Sequence, residues 1–282
     1  MRLFVDNLTN IDFSYLCPER GLVGETWLAH VQLEGSLNHQ GMICDFGIVK
    51  KKLRDWLDKT LDHCLLVPAK SSTIRSSTVD GGTVVELTLP SHEYVRVESP
   101  SAAITLIEVA VVTPETVAEW CLSQLQTMFD SGVVKIYLSF SPETIETPYY
   151  HYSHGLKKHE GHCQRIAHGH RSKLLIWRDS QLCIHSMQEW AEKWRDIYIG
   201  TEDDRIFEDE NHLGFTYKAQ QGVFRLTLPK RSCYLIASDT TVELLAQHLA
   251  NELSLQYPNT DIHVQAFEGI SKGAIVTLPR SK

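Results

Sequence analysis

Apolar and polar residues alternate with period two in some stretches of this chain and recur with helical period in others. "TWLAHVQLEG" (26–35) and "GMICDF" (41–46) read as a hairpin. "GIVKKKLRDWLDKTLDH" (47–63) follows as an amphipathic helix, with Ile48, Val49, Leu53, Trp56, Leu57 and Leu61 along its apolar face. In the second half, "RSKLLIWRDSQLCIH" and "SMQEWAEKWRDI" repeat hairpin and helix. "VVKIYLSF" (133–140) and "DIHVQAFE" (261–268) alternate as strands and close the two halves.

These patterns indicate an internal duplication. "VELTLPSHEYVRVESP" (85–100) resembles "FRLTLPKRSCYLIASD" (224–239), and "TPETVAEWCLSQL" (113–125) answers "TVELLAQHLANEL" (241–253). In the second pair each member opens Thr-x-Glu-x-x-Ala, where Thr caps a helix and Glu suits its first turn. The join falls near "SFSPETIETPYY" (139–150), which predicts units at 1–145 and 146–282. Strands and helices in this order give an α+β class with largely antiparallel sheet.

A chain of 282 residues accommodates two such units, each large enough for its own core. Its formal charge of −8 argues against a general nucleic-acid or anionic-membrane partner. No apolar run approaches the ~18 residues of a membrane span, and "MRLFVDNLTNIDF" lacks the apolar core of a secretion signal. Seven cysteines, an odd number without CxxC spacing, read as reduced thiols of a cytoplasmic protein.

Chemistry concentrates in "YHYSHGLKKHEGHCQRIAHGH" (150–170). His168 and His170 are i and i+2 ahead of the apolar "LLIW", so on a strand they share one face. His154, one loop upstream, is the natural third ligand of a three-histidine zinc site with an open position. His-x-His alone also fits a solvated strand; the third histidine and nearby Cys163 favour the metal.

The same residues resemble the aromatic-x-x-x-His…Cys…His-Gly-His signature of the 6-pyruvoyltetrahydropterin and 6-carboxytetrahydropterin synthase family. "GMICDFGIVKKKLRDWLDKTLDHCLL" resembles its Gly-x-x-x-Asp-Phe and Leu-Asp-His-x-x-Leu signature, "TVELLA" a third motif and "AFEGISKGAI" a fourth. The resemblance implies two tandem tunnelling-fold units, antiparallel sheets with helix pairs, whose sheets join into a β-barrel in a homo-oligomer. It implies Zn2+ on His154, His168 and His170, Cys163 as base, Asp62 and His63 as its proton relay, and Glu268 as pterin anchor. The implied substrate is a dihydropterin, 7,8-dihydroneopterin triphosphate or a close relative. The implied reaction is 6-carboxytetrahydropterin formation, as in bacterial members feeding deazapurine (queuosine) synthesis. The alternatives are 6-pyruvoyltetrahydropterin formation with loss of triphosphate, as in tetrahydrobiopterin synthesis, and a non-catalytic pterin- or metal-binding protein.

Two departures accompany the resemblance. Cys163 stands one residue further from His168 than is common in the family, so its loop must bulge. The halves have also diverged reciprocally. Where the second has zinc histidines, the first offers Cys17, Val23 and Glu25, and near the anchor position it has Ser139, Phe140 and Ser141, with Glu143 beyond. Where the first has Asp62-His63, the second is expected to carry "YIGTEDD". A site shared between halves explains both losses.

Overall fold

The computed structural model describes residues 1–125 and 133–280. Among them are four α-helices, α1 (Phe46–Thr60), α2 (Pro114–Leu125), α3 (Ile184–Lys193) and α4 (Val242–Gln256), and three sheets. The N-terminal sheet runs Ile104–Ile107, Leu65–Pro68, Arg2–Cys17, Gly21–Gly35, Val133–Pro142. The C-terminal sheet repeats that order with Cys233–Ile236, Ile197–Thr201, Tyr149–His154, His168–Arg178 and Ile262–Phe267. It adds one further strand, Gly273–Leu278, at its edge, and Gln181–Leu182 pairs off its path. These are two tandem tunnelling-fold units.

Helices α1 and α2 cover the N-terminal sheet, burying Leu53, Leu57, Val117 and Cys121 against Phe13, Trp27 and Leu33. Helices α3 and α4 cover the C-terminal sheet in the same way, burying Trp190, Ala246 and Leu249 against Tyr150 and Ile176. Each buried Leu side chain is worth roughly 1.5–3 kcal/mol of transfer free energy, so these faces hold the helices in place. The expected caps are present: Thr113 Oγ1 accepts from the Thr116 N–H and Thr241 Oγ1 from the Leu244 N–H.

The third sheet belongs to both halves. Its order is Arg205–Glu208, His212–Ala219, Gly222–Pro229, Tyr94–Pro100, Gly82–Thr88, Ile74–Val79. Gly222–Pro229 and Tyr94–Pro100 pair antiparallel, with Leu226 opposite Val97. Each leads through its terminal proline into a short 3-10 turn, Lys230–Ser232 or Ser101–Ala103. They are therefore equivalent strands paired about a pseudo-twofold axis. This corrects the repeat read from the two Leu-Thr-Leu-Pro segments. Leu87 lies on Gly82–Thr88, one strand away from the true counterpart of Gly222–Pro229. Meander strands share one alternating pattern, so a four-residue match slipped by a strand.

The expected hairpin of 26–35 with 41–46 does not form. Gly21–Gly35 pairs instead with Arg2–Cys17 and Val133–Pro142. Residues 36–45 form an irregular loop in which Asn38 Oδ1 accepts from the Gln40 and Met42 N–H groups. Asp45 then caps α1, accepting from Gly47 and Ile48. The asparagine and aspartate side chains divert the backbone from strand pairing.

The main sheets of the two halves touch along the same pseudo-twofold axis. Ser14 Oγ and Ser153 Oγ share a 2.7 Å hydrogen bond. A Cβ on Gly24 would stand 1.8 Å from the Tyr152 carbonyl oxygen, and one on Gly169 would stand 2.6 Å from the Gly24 Cα. The glycines let two backbones approach where side chains could not fit, and this brings the histidines of one half to the helix end of the other.

Candidate active site

His154 and His168 are opposed on neighbouring strands, and His170 follows two residues along, opposite Tyr152. One ligand atom from each of His154, His168 and His170 lies within 4.8 Å of the others, and all three side chains are at most 1% exposed. His154 Nδ1 contacts the Thr240 carbonyl at 2.9 Å, and His168 Nδ1 contacts the Arg165 carbonyl at 2.8 Å. Acceptance by carbonyls places the proton on Nδ1 in both rings and leaves Nε2 as a lone-pair donor. Both Nε2 atoms are buried without a hydrogen-bond partner, as is His170 Nε2. Burial, reinforced by the neighbouring histidines, pushes the imidazolium forms of His154 and His168 well below the ordinary histidine range. Convergent imidazoles with orphaned nitrogens fit a bound metal ion.

Asp62 and His63 reach this cluster from the other half. The turn after α1 puts His63 in a left-handed conformation, φ 53°. Its N–H donates to the Asp12 carbonyl at 2.6 Å. Asp62 accepts from the Asp12 N–H at 2.9 Å through one oxygen and meets His63 Nδ1 at 2.5 Å through the other. The His63 ring centroid is 5.0 Å from that of His168. Cys163 sits on the 3-10 turn His162–Gln164, and its sulfur lies within 4.8 Å of ligand atoms of His63 and His168. The tight turn absorbs the extra residue between Cys163 and His168. Burial alone would depress the His63 imidazolium, but hydrogen bonds and charge from Asp62 and Cys163 outweigh it and raise the pKa to about 10.

Glu268 ends the strand Ile262–Phe267, with one oxygen 3.9 Å from His170 Nε2 and the other 3.9 Å from Lys272 Nζ. All seven residues singled out from the sequence therefore gather in one place, within one chain. Sequence reading missed others. Asp12 Oδ1 lies 3.1 Å from His170 Nδ1, and Asp12 Oδ2 lies 3.1 Å from Lys272 Nζ. Arg165, 3% exposed, donates to the His63 carbonyl, the Cys64 sulfur and Gln221, tying the cysteine loop to the histidine turn. Neither stands in a readable spacing; the fold alone brings them in.

The pseudo-twofold axis also defines a twin of this site, and it corrects two alignments. Tyr15 opposes Val23 as His154 opposes His168, so Tyr15, not Cys17, holds the place of the first histidine. Val23 and Glu25 complete the set. Leu65 pairs with Ser14 as Tyr198 pairs with Ser153, which aligns Asp62-His63 with Arg195-Asp196 rather than "YIGTEDD". Asp196 shares the left-handed φ of 53° with His63. Both slips arise from hairpin and turn lengths that differ between halves. In the twin, Arg20 grips Asp196 at 2.9 and 2.5 Å and donates to the Tyr15 hydroxyl at 3.1 Å. An ion pair occupies the place of the Asp62–His63 pair.

A buried three-imidazole cluster, flanked by a cysteine and an Asp-His pair on tandem α+β units, is a set of residues that could hold a metal ion. The family model for 6-pyruvoyl tetrahydropterin synthase matches residues 17–148 and again 143–278. The chain belongs to that family. It is 32% identical over 115 residues to a protein of Pyrococcus abyssi named "Putative 6-carboxy-5,6,7,8-tetrahydropterin synthase". That match takes in 39% of this chain and 61% of the length of the relative. Solved structures of the 6-pyruvoyltetrahydropterin synthases of Plasmodium vivax and Plasmodium falciparum align with TM-scores of 0.42 and 0.41, at 20% and 18% identity. Each alignment covers 50% of this chain and 90% of that chain.

Glu25 of the twin generates a prediction. Burial raises its pKa to about 7, against partial relief from the Thr26 N–H, Arg171 and Arg20. Between the ordinary glutamate value and about 7, the unfolded chain releases a proton that the folded chain keeps, so this group lowers stability as pH rises. Glu25→Gln should therefore gain stability over the parent through that window, on the order of 2 kcal/mol by pH 8. Denaturant melts at pH 4.5 and pH 8 measure it. An unchanged difference between the two proteins at both pH values would contradict the assignment.

Proposed function

We propose that this chain is a zinc-dependent tetrahydropterin synthase, a lyase acting on 7,8-dihydroneopterin triphosphate or a close relative. The observation that carries this reading is the meeting of His63 from one half with Cys163 and the three-imidazole cluster of the other. His154, His168 and His170 would hold zinc through Nε2, and zinc when bound supplies a Lewis acid toward the side-chain oxygens of the pterin.

This chain's own residues then have distinct tasks. The Glu268 carboxylate accepts hydrogen bonds from the 2-amino group and ring N–H of the pterin edge, fixing the ring. The Cys163 sulfur takes a proton from the side-chain carbon. His63, protonated and held by Asp62, stabilises the thiolate and returns a proton to the product. Proton transfer on both sides of the side chain serves carbon–carbon cleavage, in which the substrate and one water give 6-carboxytetrahydropterin, acetaldehyde and triphosphate. The name of the Pyrococcus relative favours that outcome; pyruvoyltetrahydropterin formation uses the same groups and releases triphosphate without carbon–carbon cleavage. Contact of Cys163 with His63 weighs against a purely binding role.

We also propose a cytoplasmic homo-oligomer. Val133–Pro142 and Gly273–Leu278 each form one edge of a main sheet, and they expose Val134 and Ile275. Edge-to-edge closure into a barrel removes such unpaired strands. Among the described residues no helix is long and apolar enough to cross a membrane.

Incubation with 7,8-dihydroneopterin triphosphate, followed by mass spectrometry, should yield 6-carboxytetrahydropterin. The absence of product from any dihydropterin would overturn the enzyme assignment. His63→Ala and Cys163→Ala should each lower turnover by about 10²–10⁴-fold, with the metal retained. The double variant should be little worse than either single one, because both act on one proton transfer.

A further inference from the structure

Two of the three imidazoles are oriented by carbonyls of their own half: His154 by Thr240 and His168 by Arg165. The third is not. The neighbour of His170 Nδ1 is a carboxylate oxygen of Asp12, 3.1 Å away and contributed by the strand Arg2–Cys17 of the other half. That contact is off the N–H axis, and His170 Nδ1 has no other partner. A hydrogen bond there would fix the ring and leave Nε2 free to act as a ligand.

Asp12 is itself held firmly. Thr26 Oγ1 donates to its Oδ1 at 2.6 Å, and Lys272 stands at Oδ2. Gly269, at φ 69°, leaves room for this carboxylate, since a Cβ there would lie 2.4 Å from Oδ1. The main chain of the same residue engages both members of the relay, through its carbonyl to the His63 N–H and its N–H to Asp62. Asp12 thus joins the metal cradle to the proton relay across the axis.

The axis explains why such a contact exists and why there is one. The position equivalent to Asp12 is His151, and the position equivalent to His170 is Glu25. The twin contact is His151 to Glu25, 3.8 Å apart, so the carboxylate and the imidazole have changed places. Of these two equivalent pairs, Asp12–His170 is the one that sets a carboxylate against a member of the three-imidazole cluster.

We propose that Asp12 is a positioning residue for the metal site, fixing the His170 ring so that Nε2 faces the ion, and that the non-metal half thereby controls metal affinity. The proposal rests on the three histidines binding a metal. Carboxylates behind metal-bound histidines commonly govern affinity by 10–100-fold.

Cobalt(II), a spectroscopic substitute for zinc, tests it by chelator competition and visible absorption on the full chain. Asp12→Ala should weaken cobalt binding by about 10–100-fold and alter the d–d bands, because one ligand ring is no longer fixed. Asp12→Asn retains an acceptor at the same atom, so it should recover part of the affinity and bands closer to the parent. Parent protein that binds no cobalt would overturn the metal site itself. Parent protein that binds, with both variants equal to it in affinity and spectrum, would overturn the role of Asp12 alone. If Asp12→Ala fails to fold, Asp12→Asn decides: parental affinity and bands in its case contradict the proposal.

Discussion

The arrangement depends on one close approach of two backbones. At Gly24 and Gly169 the main sheets of the two halves come nearer than any Cβ would permit, with Ser14 and Ser153 hydrogen-bonded alongside. Strands this close place residues two or three positions away within reach of the opposite half. Asp12 meets His170, and His151 meets the Gly24 carbonyl and Glu25. The same crossing carries the turn after α1 to the loop before His168. Pairing of Gly222–Pro229 with Tyr94–Pro100 locks the register from a second direction.

A pseudo-twofold axis generates two equivalent sites, and the chain has treated them differently. One collects three buried imidazoles, a thiol and a paired histidine. The other keeps the geometry but fills it with Tyr15, Val23 and Glu25, sealed by the Arg20–Asp196 ion pair. That ion pair bridges the halves where the first site has its relay, so the twin contributes to holding the frame. A partly exposed pair of this kind is worth little by itself, about 0–1 kcal/mol. Its bidentate geometry sets orientation more than it adds stability. Divergence after duplication has separated chemistry from support without breaking the symmetry of the strands.

Much of this was legible in the sequence, for stated reasons. His168 and His170 share a face because strands alternate, and the helical period of residues 47–63 anticipated α1 to within a few residues. The family resemblance supplied the fold and the gathering of His154, Cys163, Asp62, His63 and Glu268. What failed was register. Leu-Thr-Leu-Pro recurs on non-equivalent strands, Tyr15 rather than Cys17 holds the position of His154, and the counterpart of Asp62-His63 is Arg195-Asp196, upstream of "YIGTEDD". The first reflects the common alternation of meander strands, and the other two reflect hairpins and turns of unequal length between the halves. Asp12, Arg165 and Lys272 were invisible for a deeper reason: their partners are distant in sequence, and no local pattern marks them.

The two halves of one chain complete a single site. His63 and Cys163 come from opposite halves of the same chain and lie within 4.8 Å. Mixing His63→Ala protein with Cys163→Ala protein under conditions that exchange subunits is the direct test. Each variant chain lacks one member of its own site, so exchange should restore no dihydropterin turnover. Recovery of activity on mixing would mean that the relay and the cysteine meet between chains, and would contradict the account.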